Sequence, residues 1–218
     1  MANGVDDRKT HQQQSKVLHT TLGPILVEGP VPAQTLAAWT LDEGLRLFRP
    51  AWRQKEALVS IASMPEGRVI VARQDDLVLG YVTFHPPDKF ERWGREEIPG
   101  LLELGAIEVT PKARKTGVGT TLIEVALTNP EMENYIVIAT EYWWHWDLEG
   151  TGLTVWQYRQ MLEKGLAPFG IFPMATDEPE ICSHPANVLM VRRGKRVNPE
   201  TWSRFEKLLF EDKEDENK

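Results

Sequence analysis

A mixed-sheet α/β domain is the fold class that this 218-residue sequence predicts. Three observations predict it. Helix signals come early, a hairpin follows, and then strand, helix, strand, helix, strand and strand, which is not the strict alternation of a doubly wound sheet. The most apolar run, YIVIATEYW over 135–143, reads as a central strand. No Pro-, Gly- or Ser-rich linker divides the chain, so 17–210 is read as one domain. A flexible lead-in (1–16) precedes it and an acidic tail (211–218) follows.

The elements follow in order. Residues 17–28 are β-rich but broken at Gly23-Pro24, giving two short strands or an edge strand. Residues 33–47 read as a helix. Pro50 opens a second, with Leu58, Ile61 and Ala62 on one stripe. RVIVAR (68–73) and LVLGYVTF (77–84) form a hairpin across Gln74-Asp75-Asp76. An irregular Pro- and charge-rich loop occupies 86–100. Residues 103–109 are a strand, and Val118, Leu122, Val125 and Ala126 stripe the helix after it. Beyond 135–143, Val155, Tyr158 and Leu162 mark another helix, and 170–175 and 187–193 two more strands. Asn198 caps a last helix, with Pro199 at its first position and Trp202, Phe205 and Leu209 inward.

Composition excludes several function classes. The 25 basic and 32 acidic residues leave a net charge of −7. A chain that binds nucleic acid regardless of sequence needs a basic face, so that partner is not expected. Apolar residues make up 41 % of the chain, enough for a core. The lone Cys182 excludes a disulfide scaffold and a four-thiolate zinc site, and fits a reduced, cytoplasmic compartment. No apolar run approaches the ~18 residues of a membrane span, and the polar first residues carry no signal-peptide core. His145, His184 and Cys182 match no zinc spacing, so no metal is expected.

The segment most telling for chemistry is LGAIEVTPKARKTGVGTTLIEVAL (104–127). A strand ends at Pro111, a basic loop carries Lys112, Arg114 and Lys115, and Gly117 and Gly119 open a helix. A helix start offers unpaired N–H groups and a positive dipole end, and glycines let a ligand approach the backbone. With three cations nearby, this arrangement suits a pyrophosphate. Neither the Walker nor the Rossmann glycine spacing is present. The string R-K-T-G-V-G instead resembles the R/Q-x-x-G-x-G/A signature of the GNAT acyltransferases. ELGAIEVTP, MENYIVIATEYWWHWDLEG and ATDEPEICSHPANVLM extend the resemblance over roughly 22–210, to a GNAT branch of bacilli.

The resemblance implies a GNAT fold, a central, mostly antiparallel mixed sheet flanked by helices. It implies acetyl-CoA as the acyl donor, held by Arg114, Lys115, Thr116, Gly117, Val118, Gly119 and Thr120, with backbone contacts near Ile107 and Val109. It further implies a protein lysine acetyltransferase whose target is acetyl-CoA synthetase, inactivated as part of acetate and acetoin metabolism. A GNAT acting on a small amine, or an acetyl-CoA-binding protein that inhibits acetyl-CoA synthetase by complex formation, are the alternatives.

A lysine amine has a pKa of about 10.4, so reaching its neutral form at pH 7 costs about 4.6 kcal/mol. A base must take that proton, and the developing oxyanion needs a donor. Glu108 is the base candidate, a carboxylate on an apolar strand that shares a face with Leu104 and Ala106 if the strand is regular. Glu141, on 135–143, is the second catalytic candidate, for proton relay or lysine binding. Leu162 stands where the family's late tyrosine acid is usual, in Met161-Leu162-Glu163-Lys164, so the sequence leaves the general acid open, and a thiolate leaves readily enough to need none. Tyr158, one turn earlier, reads more readily as a core aromatic. The tryptophans of 142–147 read as core and substrate-groove wall, and the acidic loop 175–180 as either a solvated turn or a docking rim for a basic target.

Overall fold

The computed structural model describes residues 11–211. Its strands are β1 (Gln14–Thr20) and β2 (Gly23–Gly29), then helix α1 (Ala33–Ala38), β3 (Thr40–Leu41), α2 (Ala51–Ala62), β4 (Arg68–Gln74), β5 (Leu77–His85) and β6 (Leu101–Val109). Helix α3 (Val118–Leu127), β7 (Ile136–Glu141), α4 (Leu148–Thr151), α5 (Val155–Leu166), β8 (Phe172–Met174), α6 (Pro179–Cys182), β9 (Val188–Arg193) and α7 (Pro199–Lys207) complete the chain. The sheet runs β1-β2-β4-β5-β6-β7-β9-β8, with β3 on β5. Its neighbours are antiparallel except β6 with β7 and β3 with β5. The predicted mixed-sheet α/β class is therefore observed.

Helices cover both faces. One core joins Ile25, Ile70, Val82 and Leu104 to Val118, Leu122 and Val125 of α3, with Leu166 at the end of α5. On the opposite face α1 and α2 bury Leu36 and Leu58 against Val69, Val71 and Tyr81. On that same face α7 buries Phe205 against Ile136, Ile138 and Leu189. The α3 stripe read from the sequence is wholly buried, because its period of 3.6 matches a single covered face.

The largest departure from the sequence reading lies at 33–47. Helix α1 stops at Ala38, and the chain turns extended at Trp39. Thr40 N–H then donates to Asp76 O and Asp42 N–H to Val78 O, so pairing with β5 captures residues that an isolated helix would have kept. Strand β1 starts at Gln14, inside the stretch read as a lead-in, because Gln14 to Thr20 pair along the whole of β2. Residues 1–10 and 212–218, which hold most of the expected lead-in and tail, lie outside the described residues. Among the described residues, no helix is long and apolar enough to cross a membrane.

Candidate active site

Two parallel strands part company to make the site. β6 and β7 pair only at Leu101↔Ile136, Leu102↔Val137 and Glu103↔Ile138. Beyond Glu103, β6 stays with β5 as far as Val109, while β7 stays with β9 as far as Glu141. A wedge opens between them. Its sides are Leu104 to Ile107 on β6 and Thr140 and Glu141 on β7, and it holds a cleft of ≈ 190 Å³. A larger cavity, ≈ 570 Å³, lies at the other end of these strands, beside Leu101, Leu102 and Asn198. It is remote from the loop that follows β6, so the smaller cleft is the candidate site.

Backbone amides line the wedge. Thr110 N–H donates to Leu79 O of β5 at 2.9 Å. Alternation along a strand then turns the N–H groups of Ile107 and Val109 the other way, into the gap that β7 has left. These are the two amides the sequence reading placed near a thioester.

The loop after β6 is braced from below. Asp42, in the segment that replaces the expected helix, accepts from Thr110 Oγ1 at 2.6 Å and pairs with Lys112 Nζ at 2.5 Å. Burial works against the Asp42 carboxylate, but the bonds from Lys112, Thr110 and Gly44 outweigh it and hold its pKa below the usual range. Thr116 Oγ1 donates to Ala113 O at 2.6 Å. Lys115 takes a φ of 62° and Gly117 one of 90°, the backbone region that favours glycine. Gly117 caps α3 with no side-chain bond. The first bond within the helix is Thr121 N–H to Gly117 O, which leaves the N–H groups of Val118, Gly119 and Thr120 for a ligand. A Cβ at Gly119 would meet nothing closer than Val109 Cγ2 at 3.8 Å, so the space above it is open.

The cations of this loop divide. Arg114 pairs with Asp147 at 2.7 Å and donates through Nε to Val109 O, so it fastens the loop to the segment before α4. Lys112 is held by Asp42. Lys115 is exposed and, among the described residues, forms no ion pair, so it is the cation available to an incoming phosphate. Only one of the three positive charges counted in the sequence is thus uncommitted.

The carboxylates are also redistributed. Glu108 does not face the cleft. It is 3 % exposed, and its oxygens accept from Leu47 N–H and from Tyr81 Oη–H, both at 2.7 Å. The cause is a β-bulge. Thr83 pairs with Ala106 and Phe84 with Leu104, leaving Gly105 as the extra residue. Leu104 consequently packs on the α3 side, whereas Ala106 packs on the α1–α2 side, and Glu108 follows Ala106. The regular-strand assumption fails at that one residue, and Glu108, with both oxygens taken by Leu47 and Tyr81, is not among the residues that line the cleft.

Glu103, before the bulge, takes its place at the cleft. It accepts from Thr140 Oγ1 at 2.8 Å through one oxygen. Glu91, from the 86–100 loop, joins it at the cleft. Burial first, then the charges of Glu103, Asp88 and Glu180, push the Glu91 carboxyl upward. Glu141 lies in the cleft as expected from sequence. Its Oε2 accepts from Trp146 Nε1–H at 3.0 Å. Burial raises its pKa, the Trp146 bond opposes this, and the Glu103 charge adds to it. Tyr158 also reaches the cleft rather than the core, stacked on Trp146 with ring centroids 5.1 Å apart. Burial and the Glu141 charge raise its phenol pKa.

Sequence reasoning thus missed Glu103, Glu91 and the cleft position of Tyr158. Glu103 carried a faint signal, a polar residue between Leu102 and Leu104. Glu91 sits in an irregular loop and carried none. His145 packs on Tyr142 and His184 on Trp143. Among the described residues no group of three or more His, Cys, Asp or Glu is placed to hold a metal ion.

A strand that bulges, a wedge between parallel strands and a glycine-opened helix start are the arrangement expected of an acyltransferase's donor site. The chain belongs to the GNAT acetyltransferase family, whose family model, described as Acetyltransferase (GNAT) family, matches residues 36–143. Within that family it is similar to the acetoin utilization protein AcuA of Bacillus licheniformis, 48 % identical over 206 residues that cover 94 % of this chain and 97 % of the relative. The AcuA of Bacillus subtilis strain 168 is 47 % identical over the same shares. A crystal structure of an acetoin utilization protein from Exiguobacterium sibiricum 255-15 superposes with a TM-score of 0.89 at 49 % identity, covering 92 % of this chain and 95 % of that one. The protein is therefore an acetyltransferase of a family that draws its acetyl group from acetyl-CoA.

Proposed function

We propose that the protein transfers the acetyl group of acetyl-CoA to a lysine ε-amine on a protein, and that this protein is acetyl-CoA synthetase. The observation that carries the protein-acceptor reading is the shape and rim of the cleft. At ≈ 190 Å³ it is smaller than the 300–1,000 Å³ typical of small-ligand pockets, and suits a single side-chain arm. Its surroundings expose Leu47, Phe48, Trp143 and Trp144, each 37 % or more accessible. Exposed apolar surface of this kind marks a protein contact more than a small-amine site. The name of the relatives, together with the family resemblance, supports a place in acetoin and acetate metabolism.

The residues divide by face. The donor loop and α3 lie on one face of the sheet, so acetyl-CoA, which supplies the thioester, enters from that side. The N–H groups of Val118, Gly119 and Thr120 and the Lys115 ammonium would hold its pyrophosphate. The amides of Ile107 and Val109 would bond the thioester oxygen where negative charge develops. A nucleophile must then come through the wedge from the opposite face, where Glu103 and Ala106 lie. Glu103 is the base in this reading. It has one oxygen bonded to Thr140 and no second hydrogen-bond partner among the described residues, and it sits beside Glu91, which adds negative charge to draw in an ammonium.

Intact-mass spectrometry tests the reading. A bacterial acetyl-CoA synthetase incubated with the protein and acetyl-CoA is expected to gain one acetyl increment, and none without acetyl-CoA or with Glu103→Gln. Co-elution of the two proteins without a mass change would favour inhibition by binding. The absence of both modification and binding would overturn the assigned acceptor.

A further inference from the structure

The sequence leaves open which group protonates the departing sulfur, because Leu162 occupies the tyrosine position of related enzymes. The geometry around Glu141 bears on that question. Glu141 ends β7 on the donor side of the sheet, following Val137 and Ala139, which pack in the α3 core. It stands across the wedge from Glu103, on the face by which the donor enters. Its Oε2 accepts from the Trp146 indole at 3.0 Å, and its Oε1 has no protein partner among the described residues. That pattern fits a neutral carboxylic acid. The indole N–H pairs with the carbonyl oxygen, and the hydroxyl oxygen is left to donate into the cleft.

Resting on the acetyl-transfer reading above, we propose that Glu141 acts as the general acid, handing its Oε1 proton to the sulfur of CoA as the thioester breaks. The C–N bond forms between the acceptor nitrogen and the acetyl carbon, the C–S bond breaks, and its electron pair goes to sulfur. The acceptor ammonium loses two protons. One passes through Glu103 to solvent. Sulfur takes the Glu141 proton, and the second amine proton replaces it by way of Glu103, so one proton is released overall.

The surroundings keep Glu141 in its acid form. Glu103 faces it from β6, and Tyr158 from α5, and Tyr142 and His145 also line the cleft. Arg114, the cation that acts on the neighbouring Tyr158, is committed to Asp147. Burial raises the Glu141 pKa, the direction an acid needs near neutral pH. Trp146 is itself 8 % exposed and stacked on Tyr158, which fixes the indole that orients the carboxyl. Trp146 is thus a positioning residue and Glu141 the catalytic one.

Acetyl-selenocoenzyme A tests this directly. It keeps every recognition element of acetyl-CoA, but selenium leaves as the weaker base and needs no proton. Initial rates with acetyl-CoA synthetase as acceptor would be compared for the unsubstituted protein, Glu141→Gln and Glu103→Gln, with each donor. The account expects Glu141→Gln to lose about 10²-fold or more with acetyl-CoA and less than about 10-fold with the selenoester. Glu103→Gln should be equally slow with both. An equal loss for Glu141→Gln with both donors would overturn the acid role. Should that variant fail to fold, the unsubstituted protein still decides: its rate should fall at alkaline pH with acetyl-CoA and not with the selenoester, and identical profiles would count against the proposal. Absence of transfer from either donor would instead sink the acetyl-transfer reading on which it rests.

Discussion

Glu108 shows how one backbone irregularity redirects a side chain. Clamped by Leu47 N–H and Tyr81 Oη–H, it ties the segment after β3 to the end of β6. Glu108→Gln keeps one acceptor oxygen and loses the other, so a buried donor goes unpaired at a cost of about 1–3 kcal/mol. The melting temperature should drop by several degrees, which differential scanning calorimetry would read, while acetyl transfer by the folded fraction persists. An unchanged melting temperature would mean that the two bonds do not hold this corner. Alternating burial correctly marked a carboxylate on β6 as out of place. It could not reveal Gly105 as a bulge, because a glycine in a strand is compatible with bulge, bend or close packing alike. The face of every residue from 106 onward depends on that choice.

At the scale of elements, the donor loop rests on Gly117. A φ of 90° is costly for any residue with a Cβ. Gly117→Ala should cost about 1–2 kcal/mol of backbone strain. It should also tilt the first N–H groups of α3, and isothermal titration should show weaker acetyl-CoA binding, by about 10-fold. Binding as tight as in the parent would show that the N–H cradle is not the anchor. The strand–loop–helix unit was legible because its signals are local: a strand ended by Pro111, two glycines, then the buried stripe of Val118, Leu122, Val125 and Ala126. Likewise α7 followed from Asn198 and Pro199, and the structure shows Asn198 accepting from Thr201 N–H at 2.7 Å. Residues 39–48 were not legible. Their conformation is set by β5 and by Thr110 and Lys112, all distant in sequence, and helix propensity carries no information about such partners.

Across the whole molecule, carboxylates that brace the frame and carboxylates that serve the cleft are pushed in opposite directions. Asp42 holds the donor loop through Lys112 and Thr110. Glu133 accepts from Lys195 N–H at 2.7 Å and from Arg192 at 2.6 Å, joining the turn before β7 to β9. Burial alone would raise both, but these bonds lower them below the ordinary range. A folded pKa below the unfolded one adds stability that is fully present above the unfolded value and drains as pH falls through the folded value. Thermal melts should therefore be level from pH 7 down to about 5 and fall steeply below about 4, with a shallower fall in Asp42→Asn. An equal fall in the variant would contradict the bracing role. Glu91 and Glu141, which line the cleft, are raised instead, by burial first and also by the charge of Glu103.

The central claim is that the acceptor amine meets Glu103 on the face opposite the donor loop. Paired initial-rate measurements of Glu103→Gln and Glu108→Gln, with acetyl-CoA and acetyl-CoA synthetase at pH 7, test it most directly. The account predicts a loss of about 10²-fold or more for Glu103→Gln and a change within a few-fold for Glu108→Gln. The reverse pattern, with Glu103→Gln active and Glu108→Gln dead but folded, would contradict it and return the base to the far side of the bulge.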